Sequence, residues 1–533
     1  MQEIMQESDS TSSDAQFPDL YEASIAELQD GLEKGCFKST DLVNAYLARI
    51  DQVNLKGAAL RAVMEINDNA LSQAAELDAE RSAHGSRGPL HGIPLLIKDN
   101  IATAHELGMN TTAGSYALLG SIVPREACVI SKLRQAGAIL LGKANMSEWA
   151  SFRGEPVPNG FSARGGQNTC PYYPNLDPSG SSSGSAVGSA IGLAAASLGT
   201  ETTGSIVLPA SRNNIVGIKP TVGLVLSSGV VPISPHQDTV GPLARCVSDA
   251  ALLLSCIASP DPSDISISPP KERPDYMKAL DASALKGKRL GVPRALLKQY
   301  HVTNVVFNNS LVVFRDLGAD VIDPVEFPSA ERMKTSKAED IVLTVDFKLA
   351  LNKYLSELVE VPTGVRSLAD VIKFNLEHAE VELPPPYYKD QSQLVASEAS
   401  EIDNTYYEAL AENRELGCTR GIDAALEAYQ LDALILPTDS YATKATGISG
   451  YPIISVPLGH YPSETQSSPS DPAPLYHRAP NMPFGIAFIG SAYSEFELIS
   501  LAYAFEQATN ARLQGKAYPL ATPEIQLKHV ISQ

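Results

Sequence analysis

An α/β protein, built as one large domain with insertions, is the fold class this sequence predicts, and two observations carry it. Short apolar runs of strand length alternate with amphipathic stretches of helical period through both halves of the chain. At 533 residues the chain can bury a large core; length alone suggests two to four domains, but big α/β enzymes often exceed that prior as one body.

In order, residues 1–17 are polar and acidic and read as a disordered tail, with the folded domain spanning 18–533. Two amphipathic helices follow: one around Ile25 to Leu32, then one opening after Ser39 as N-cap, with Leu42, Tyr46 and Ile50 four residues apart facing the core. Leu60 to Ile66 reads as a strand and Leu71 to Arg81 as a helix. Ile93 to Ile97 reads as a buried strand that stops at Lys98-Asp99-Asn100, and polar residues at a strand end are well placed for function. A helix near Val129 to Gln135 and a strand from Ala138 to Leu141 keep the alternation. In the second half Arg289 to Val292, Leu434 to Leu436, Ile453 to Val456 and Ile486 to Ile489 read as buried strands. Ser494 and Glu497 form a capping-box pattern opening a last helix to about Thr509. Two segments rich in Pro and polar residues, Ser259 to Pro274 and Tyr461 to Pro483, read as surface loops. The helical stretch from about 330 to 416 reads as an insertion of the kind that covers an active site. No internal repeat is present.

The most informative segment runs from Ser179 to Pro209, SGSSSGSAVGSAIGLAAASLGTETTGSIVLP, and it is too rich in Gly, Ser and Ala for ordinary core. It reads as a catalytic loop, a buried helix over about Ala186 to Leu198, and a second catalytic loop. Gly180, Gly184, Gly199 and Gly204 allow sharp turns and bring amide N–H groups close to a ligand atom, which is how an oxyanion pocket is built. A flexible Gly/Ser linker is the rival reading, but linkers carry no apolar helix. Ser181 and Ser205 are the candidate hydroxyls. Gly180-Ser181-Ser182-Ser183-Gly184 also matches the G-x-S-x-G nucleophile elbow, which would select Ser182; that motif needs a preceding buried strand, and residues 172–178 do not read as one. Lys98, at the end of an apolar strand, is a candidate base, because lost solvation favours the neutral amine; snorkelling to solvent or pairing with Asp99 is the structural alternative.

A net charge of −20 argues against nucleic acid or an anionic membrane as partner. Six scattered cysteines without C-x-x-C spacing indicate neither a zinc site nor a disulfide scaffold, and fit packing residues in a reducing compartment. With no apolar signal region and no long apolar span, the sequence as given reads as cytoplasmic. Nothing in the pattern specifies an oligomeric state.

Four blocks, GPLHGIPLLIKDN at 88–100, the serine cluster at 179–185, GTETTGS at 199–205 and GIKPT at 217–221, together resemble the amidase signature family in order and spacing. The resemblance spans about Tyr21 to Arg512 and is strongest over the signature core, 88–242. It implies a central mixed β-sheet covered by helices, no metal or organic cofactor, and hydrolysis of a small-molecule or peptide amide through an acyl-enzyme. The family uses a Ser-Ser-Lys triad with its two serines twenty-four residues apart, as are Ser181 and Ser205 here. The match therefore implies Ser205 as nucleophile, Ser181 as the bridging serine in a cis peptide, and Lys98 as base. It implies oxyanion donors from Thr202, Thr203, Gly204 and Ser205.

Many members carry Gly-Gly-Ser-Ile-Arg at the nucleophile, whereas this chain has Thr203-Gly204-Ser205-Ile206-Val207. Thr203, being β-branched, requires a conventional backbone there. That variant, with SEWA at 147–150, SARGGQ at 162–167 and SPHQDT at 234–239, resembles the peptide amidase branch, whose members cleave C-terminal or small primary amides. Two alternatives remain: a glutamyl-tRNA amidotransferase A-type subunit, and a catalytically inactive binding or scaffold protein. Ser182, Trp149 and Asp238 are candidate substrate-binding residues, with Trp149 also fitting the core and Asp238 an active-site wall. His91 and His236 read as packing or hydrogen-bonding groups, and Lys219 as a loop anchor.

Overall fold

Eleven strands of this chain join in one mixed sheet, in a computed structural model that describes residues 17–259 and 274–531. The strands are β1 (Val63–Ile66), β2 (Pro94–Lys98), β3 (Ile139–Ala144), β4 (Ala196–Glu201), β5 (Val216–Lys219), β6 (Thr239–Ala244), β7 (Arg289–Gly291), β8 (Asp320–Ile322), β9 (Ala433–Pro437), β10 (Ile453–His460) and β11 (Pro483–Ile489). Their spatial order is β1-β3-β2-β4-β6-β5-β10-β11-β9-β7-β8. β2 runs parallel to β3 and β4, while β4, β6, β5, β10, β11 and β9 alternate in direction. Every residue of β2, β3, β4, β5, β6, β9 and β11 is buried, as expected of strands covered on both faces. All the predicted strands are present.

The first helix, Ile25–Glu33, is held by a capping box: the Ser24 hydroxyl accepts from Glu27 N–H at 3.2 Å, and the Glu27 carboxylate accepts from Ser24 N–H at 2.8 Å. In the second, Ser39–Val53, the predicted stripe of Leu42, Tyr46 and Ile50 is buried. Its N-cap is Lys38 rather than Ser39, because the Asp41 carboxylate accepts the Lys38 N–H at 2.8 Å. The last helix, Glu495–Thr509, lacks the expected box. The Ser494 hydroxyl donates to the Ser491 carbonyl at 2.7 Å, and Glu497 pairs with Lys288 at 2.6 Å instead.

The Gly/Ser/Ala segment departs most from expectation. Its helix spans only Ser183–Ala190, the chain turns through Gly192 at φ +66°, and Ala196–Glu201 is a strand. Alanine favours helix, but this stretch sits between β2 and β6 with a backbone ladder on each side, and pairing outweighs propensity.

Helices Ala330–Thr335, Ala338–Glu357, Leu368–Glu377, Ser392–Glu398 and Asn404–Arg414 make residues 330–416 helical. They build a second apolar cluster from Phe347, Leu351, Leu355 and Leu368 against Met146 and Trp149. The 461–483 segment is not wholly surface: Tyr461, Leu475, Ala479 and Met482 are buried. Of the other loop, residues 260–273 lie outside the described residues, as do residues 1–16 of the tail. Among the described residues no helix is long and apolar enough to cross a membrane. The cysteines are unpaired, and only Cys170 is fully buried, so the packing role expected of all six holds in full for one.

Candidate active site

β2 carries Lys98 to its end without leaving the interior, since Leu95, Leu96 and Ile97 are fully buried and Lys98 itself is 0 % exposed. Its Nζ lies 2.8 Å from Ser181 Oγ, 2.9 Å from Ser182 Oγ, 2.8 Å from Thr200 Oγ1 and 3.1 Å from the Thr200 carbonyl. Burial pushes its pKa down to about 7, against the Glu201 and Asp238 carboxylates, which favour the ammonium form. Neither alternative for this lysine is realised: it does not reach solvent, and its hydrogen-bond partners are hydroxyls and a carbonyl. Asp99 instead accepts from Thr112 N–H and from Gly114 N–H at 2.9 Å. Asn100 donates to Thr200 Oγ1 at 3.0 Å, holding that hydroxyl toward the amine.

Ser181 follows a cis peptide after Gly180, and a side chain at Gly180 would collide with Ser147 Oγ, so only glycine fits there. Ser147 N–H donates to the Ser181 carbonyl at 3.1 Å, and Ser182 N–H donates to the Ser205 carbonyl at 3.1 Å. The second bond ties the two serine-bearing loops together. Ser205 is 9 % exposed where Ser181 is at 0 %, making it the hydroxyl of the two nearer to solvent.

The turn between β4 and helix Val207–Arg212 is fastened by carboxylates on three sides. The Thr202 hydroxyl donates to Asp238 at 2.6 Å, and the Thr203 hydroxyl donates to Glu339 of the insertion at 2.6 Å. Gln237 donates to Thr203 Oγ1 at 2.9 Å and to Glu339 at 3.1 Å. Glu201 accepts N–H bonds from Gly204 at 2.9 Å, Ile206 at 2.6 Å and Val207 at 2.9 Å. Gly204 takes the positive φ, +81°, so Thr203 keeps an ordinary backbone. The Gly204 N–H, expected among the oxyanion donors, is already committed to Glu201. Among the described residues, the N–H groups of Thr202, Thr203 and Ser205 have no protein acceptor.

The other candidates divide by environment. Ser182 touches the Lys98 amine rather than heading a nucleophile elbow, and no strand precedes it. Asp238 is buried, accepts from Ile233 N–H at 2.7 Å and Ser234 N–H at 3.0 Å besides Thr202, and is pushed up to about 6 by burial. It ties the 233–234 backbone to the Thr202 hydroxyl. Trp149 is 1 % exposed within the second apolar cluster, which favours its core reading. His91 is buried against the Leu77 carbonyl at 2.9 Å, and His236 meets Asp346 at 2.8 Å. Lys219 donates to the Tyr451 carbonyl at 2.8 Å, an anchor as expected.

Sequence reasoning places Asn100 at a functional strand end without giving it a role, and misses Thr200, Glu201 and Glu339. Thr200 and Glu201 sit inside a recognised block, so proximity is the available signal; Glu339 lies 136 residues from its partner, and no local pattern marks it.

A family model described as Amidase matches residues 41–499. A probable amidase of Arabidopsis thaliana is 42 % identical over 506 residues, covering 93 % of this chain and 92 % of that one. The A-type subunit of the glutamyl-tRNA(Gln) amidotransferase of Thermoanaerobacter pseudethanolicus is 31 % identical, covering 94 % of this chain and 99 % of that one. Among solved structures, native peptide amidase from Stenotrophomonas maltophilia is 41 % identical with a TM-score of 0.84, covering 95 % of this chain and 99 % of that one.

Proposed function

This chain belongs to the amidase signature family and is an amide hydrolase, and we propose that it cleaves C-terminal peptide amides or small primary amides through Lys98, Ser181 and Ser205. The observation that carries the reading is the 2.8 Å approach of a fully buried, readily neutral amine to the Ser181 hydroxyl. The substrate class is supported by similarity to a peptide amidase over nearly the whole chain.

Neutral Lys98 draws the proton of Ser181 as Ser181 takes that of Ser205, and Ser205 Oγ attacks the amide carbon. The developing oxyanion is met by N–H groups of Thr202, Thr203 and Ser205, of which each typically contributes about 3 kcal/mol in such sites. Ser181, reprotonated from the Lys98 ammonium, passes a proton to the leaving amine or ammonia. Water then repeats the sequence on the acyl-enzyme and frees the acid.

Similarity to an amidotransferase favours a second reading, in which ammonia from glutamine serves a partner. One experiment separates the two: ammonia release from purified protein on C-terminal peptide amides, aliphatic primary amides and glutamine. Ser205-dependent turnover of peptide amides by the chain alone is expected. Glutamine turnover only after a partner is added would sink the proposal.

A further inference from the structure

Four buried charges of alternating sign run from the triad lysine across the sheet: Lys98 ends β2, Glu201 ends β4, Lys219 ends β5, and Glu495 opens the last helix. None is more than 1 % exposed. The mechanism above uses only the first. Glu201 accepts the N–H groups of Gly204, Ile206 and Val207, which bracket Ser205 on both sides. A carboxylate so placed fixes where the nucleophile points, and its burial calls for a counter-charge. Lys219 is the cation whose charge favours the Glu201 carboxylate, acting through space while its amine donates to the Tyr451 and Pro220 carbonyls, and Glu495 on its other side accepts from Thr221 N–H at 2.6 Å.

We propose that Glu201, by holding N–H groups on both sides of Ser205, is the positioning residue of the nucleophile turn, with Lys219 at the end of β5 as its counter-charge; the inference rests on the triad reading above. Burial pushes the Glu201 carboxyl up, and Lys219 together with the turn N–H groups pulls it back. Burial lowers Lys219 to about 8, opposed by Glu201 and Glu495. At Lys98, Glu201 and Asp238 are the carboxylates that favour the ammonium form. Removing the charge of Glu201 therefore makes Lys98 easier to deprotonate. Removing Lys219 makes Glu201 easier to protonate, and a protonated Glu201 holds the three N–H groups more weakly than the carboxylate does.

The test compares pH profiles of kcat/KM on a C-terminal peptide amide for the full chain and three variants. Glu201→Gln is expected to lower kcat about a hundredfold with little change in KM, as for small misplacements of a reacting group. Its acid limb moves to lower pH by about half a unit or more, while Lys219→Met moves that limb to higher pH. Glu201→Asp keeps the charge but not the reach, so kcat falls and the limb stays near its wild-type position. A structural ion pair would give no such opposed shifts. The inference is overturned if Glu201→Gln keeps wild-type kcat, or if the limbs of Glu201→Gln and Lys219→Met stay fixed or move together. Should Glu201→Gln fail to fold by circular dichroism, the Asp and Met variants carry the same decision. Absence of Ser205-dependent turnover in the wild-type protein would instead overturn the triad reading, and the inference with it.

Discussion

Both threonines of the turn after β4 touch the core, Thr202 through Asp238 and Thr203 through Gln237, but their hydroxyls donate to different parts of the molecule. Thr202 is fastened to Asp238 of the sheet core, 36 residues away, whereas Thr203 is fastened to Glu339 of the helical insertion, 136 residues away. On the core side each partner comes from a strand end or the residues beside it, so the chemistry there is fixed once the sheet forms. On the insertion side the partner arrives on helix Ala338–Glu357, which rests on the second apolar cluster. On the proposed mechanism the contrast is a division of labour: the core supplies Lys98, Ser181 and Ser205, and the 330–416 helices adjust the turn that carries Ser205.

The largest effects are expected on the core side. Ser205→Ala should abolish turnover of a peptide amide, a loss of about 10⁴-fold or more, and Lys98→Ala should come close to it. Near-normal ammonia release by either variant would break the core half of the contrast.

The pH profile comes next. Lys98 accepts a proton only when neutral, so kcat/KM should fall about tenfold per pH unit below about 7. Asp238 is needed ionised to hold Thr202 and is pushed up to about 6, so the decline should steepen below pH 6. A profile flat from pH 5 to 8 would remove lysine as base.

On the insertion side the effect should be smaller. Thr203→Val keeps the shape of the side chain but removes both its bond to Glu339 and the one it accepts from Gln237, which keeps Glu339 as its other acceptor, and a fall of about tenfold in kcat/KM is expected, near the cost of one charge-assisted hydrogen bond. A loss as large as that of Lys98→Ala would mean that the insertion belongs to the relay itself. The smallest effect is expected at Trp149. Its indole N–H is buried without a partner among the described residues, so Trp149→Phe should shift stability by less than about 1 kcal/mol on thermal melting and leave kcat/KM within about twofold. A large rise in KM would restore it as a substrate-binding group.

These regions also differ in how much the sequence reveals. The Lys98 position is legible because an apolar run ending in a charged residue has few physical meanings, and the two serines because glycines mark turns that must pack closely. The helix expected over Ala186 to Leu198 is only half realised: small apolar residues suit a buried helix and a buried strand alike, and only the neighbours β2 and β6 decide between them. Glu201 stays hidden because a carboxylate in a threonine-rich loop looks solvent-facing until the turn folds back over it. Glu339 cannot be found at all, since contacts across 136 residues leave no local periodicity.

Lys98 is threaded between β3 and β4, with its whole strand sealed from water, and this governs how the enzyme fails. Lys98 is the last residue of β2 and pairs with Ala144, while the residues before it are laddered in parallel on both sides, so moving the amine far disturbs the centre of the sheet. Heat inactivation should therefore track cooperative melting of the whole body, with no window in which a folded molecule has the Lys98 amine displaced.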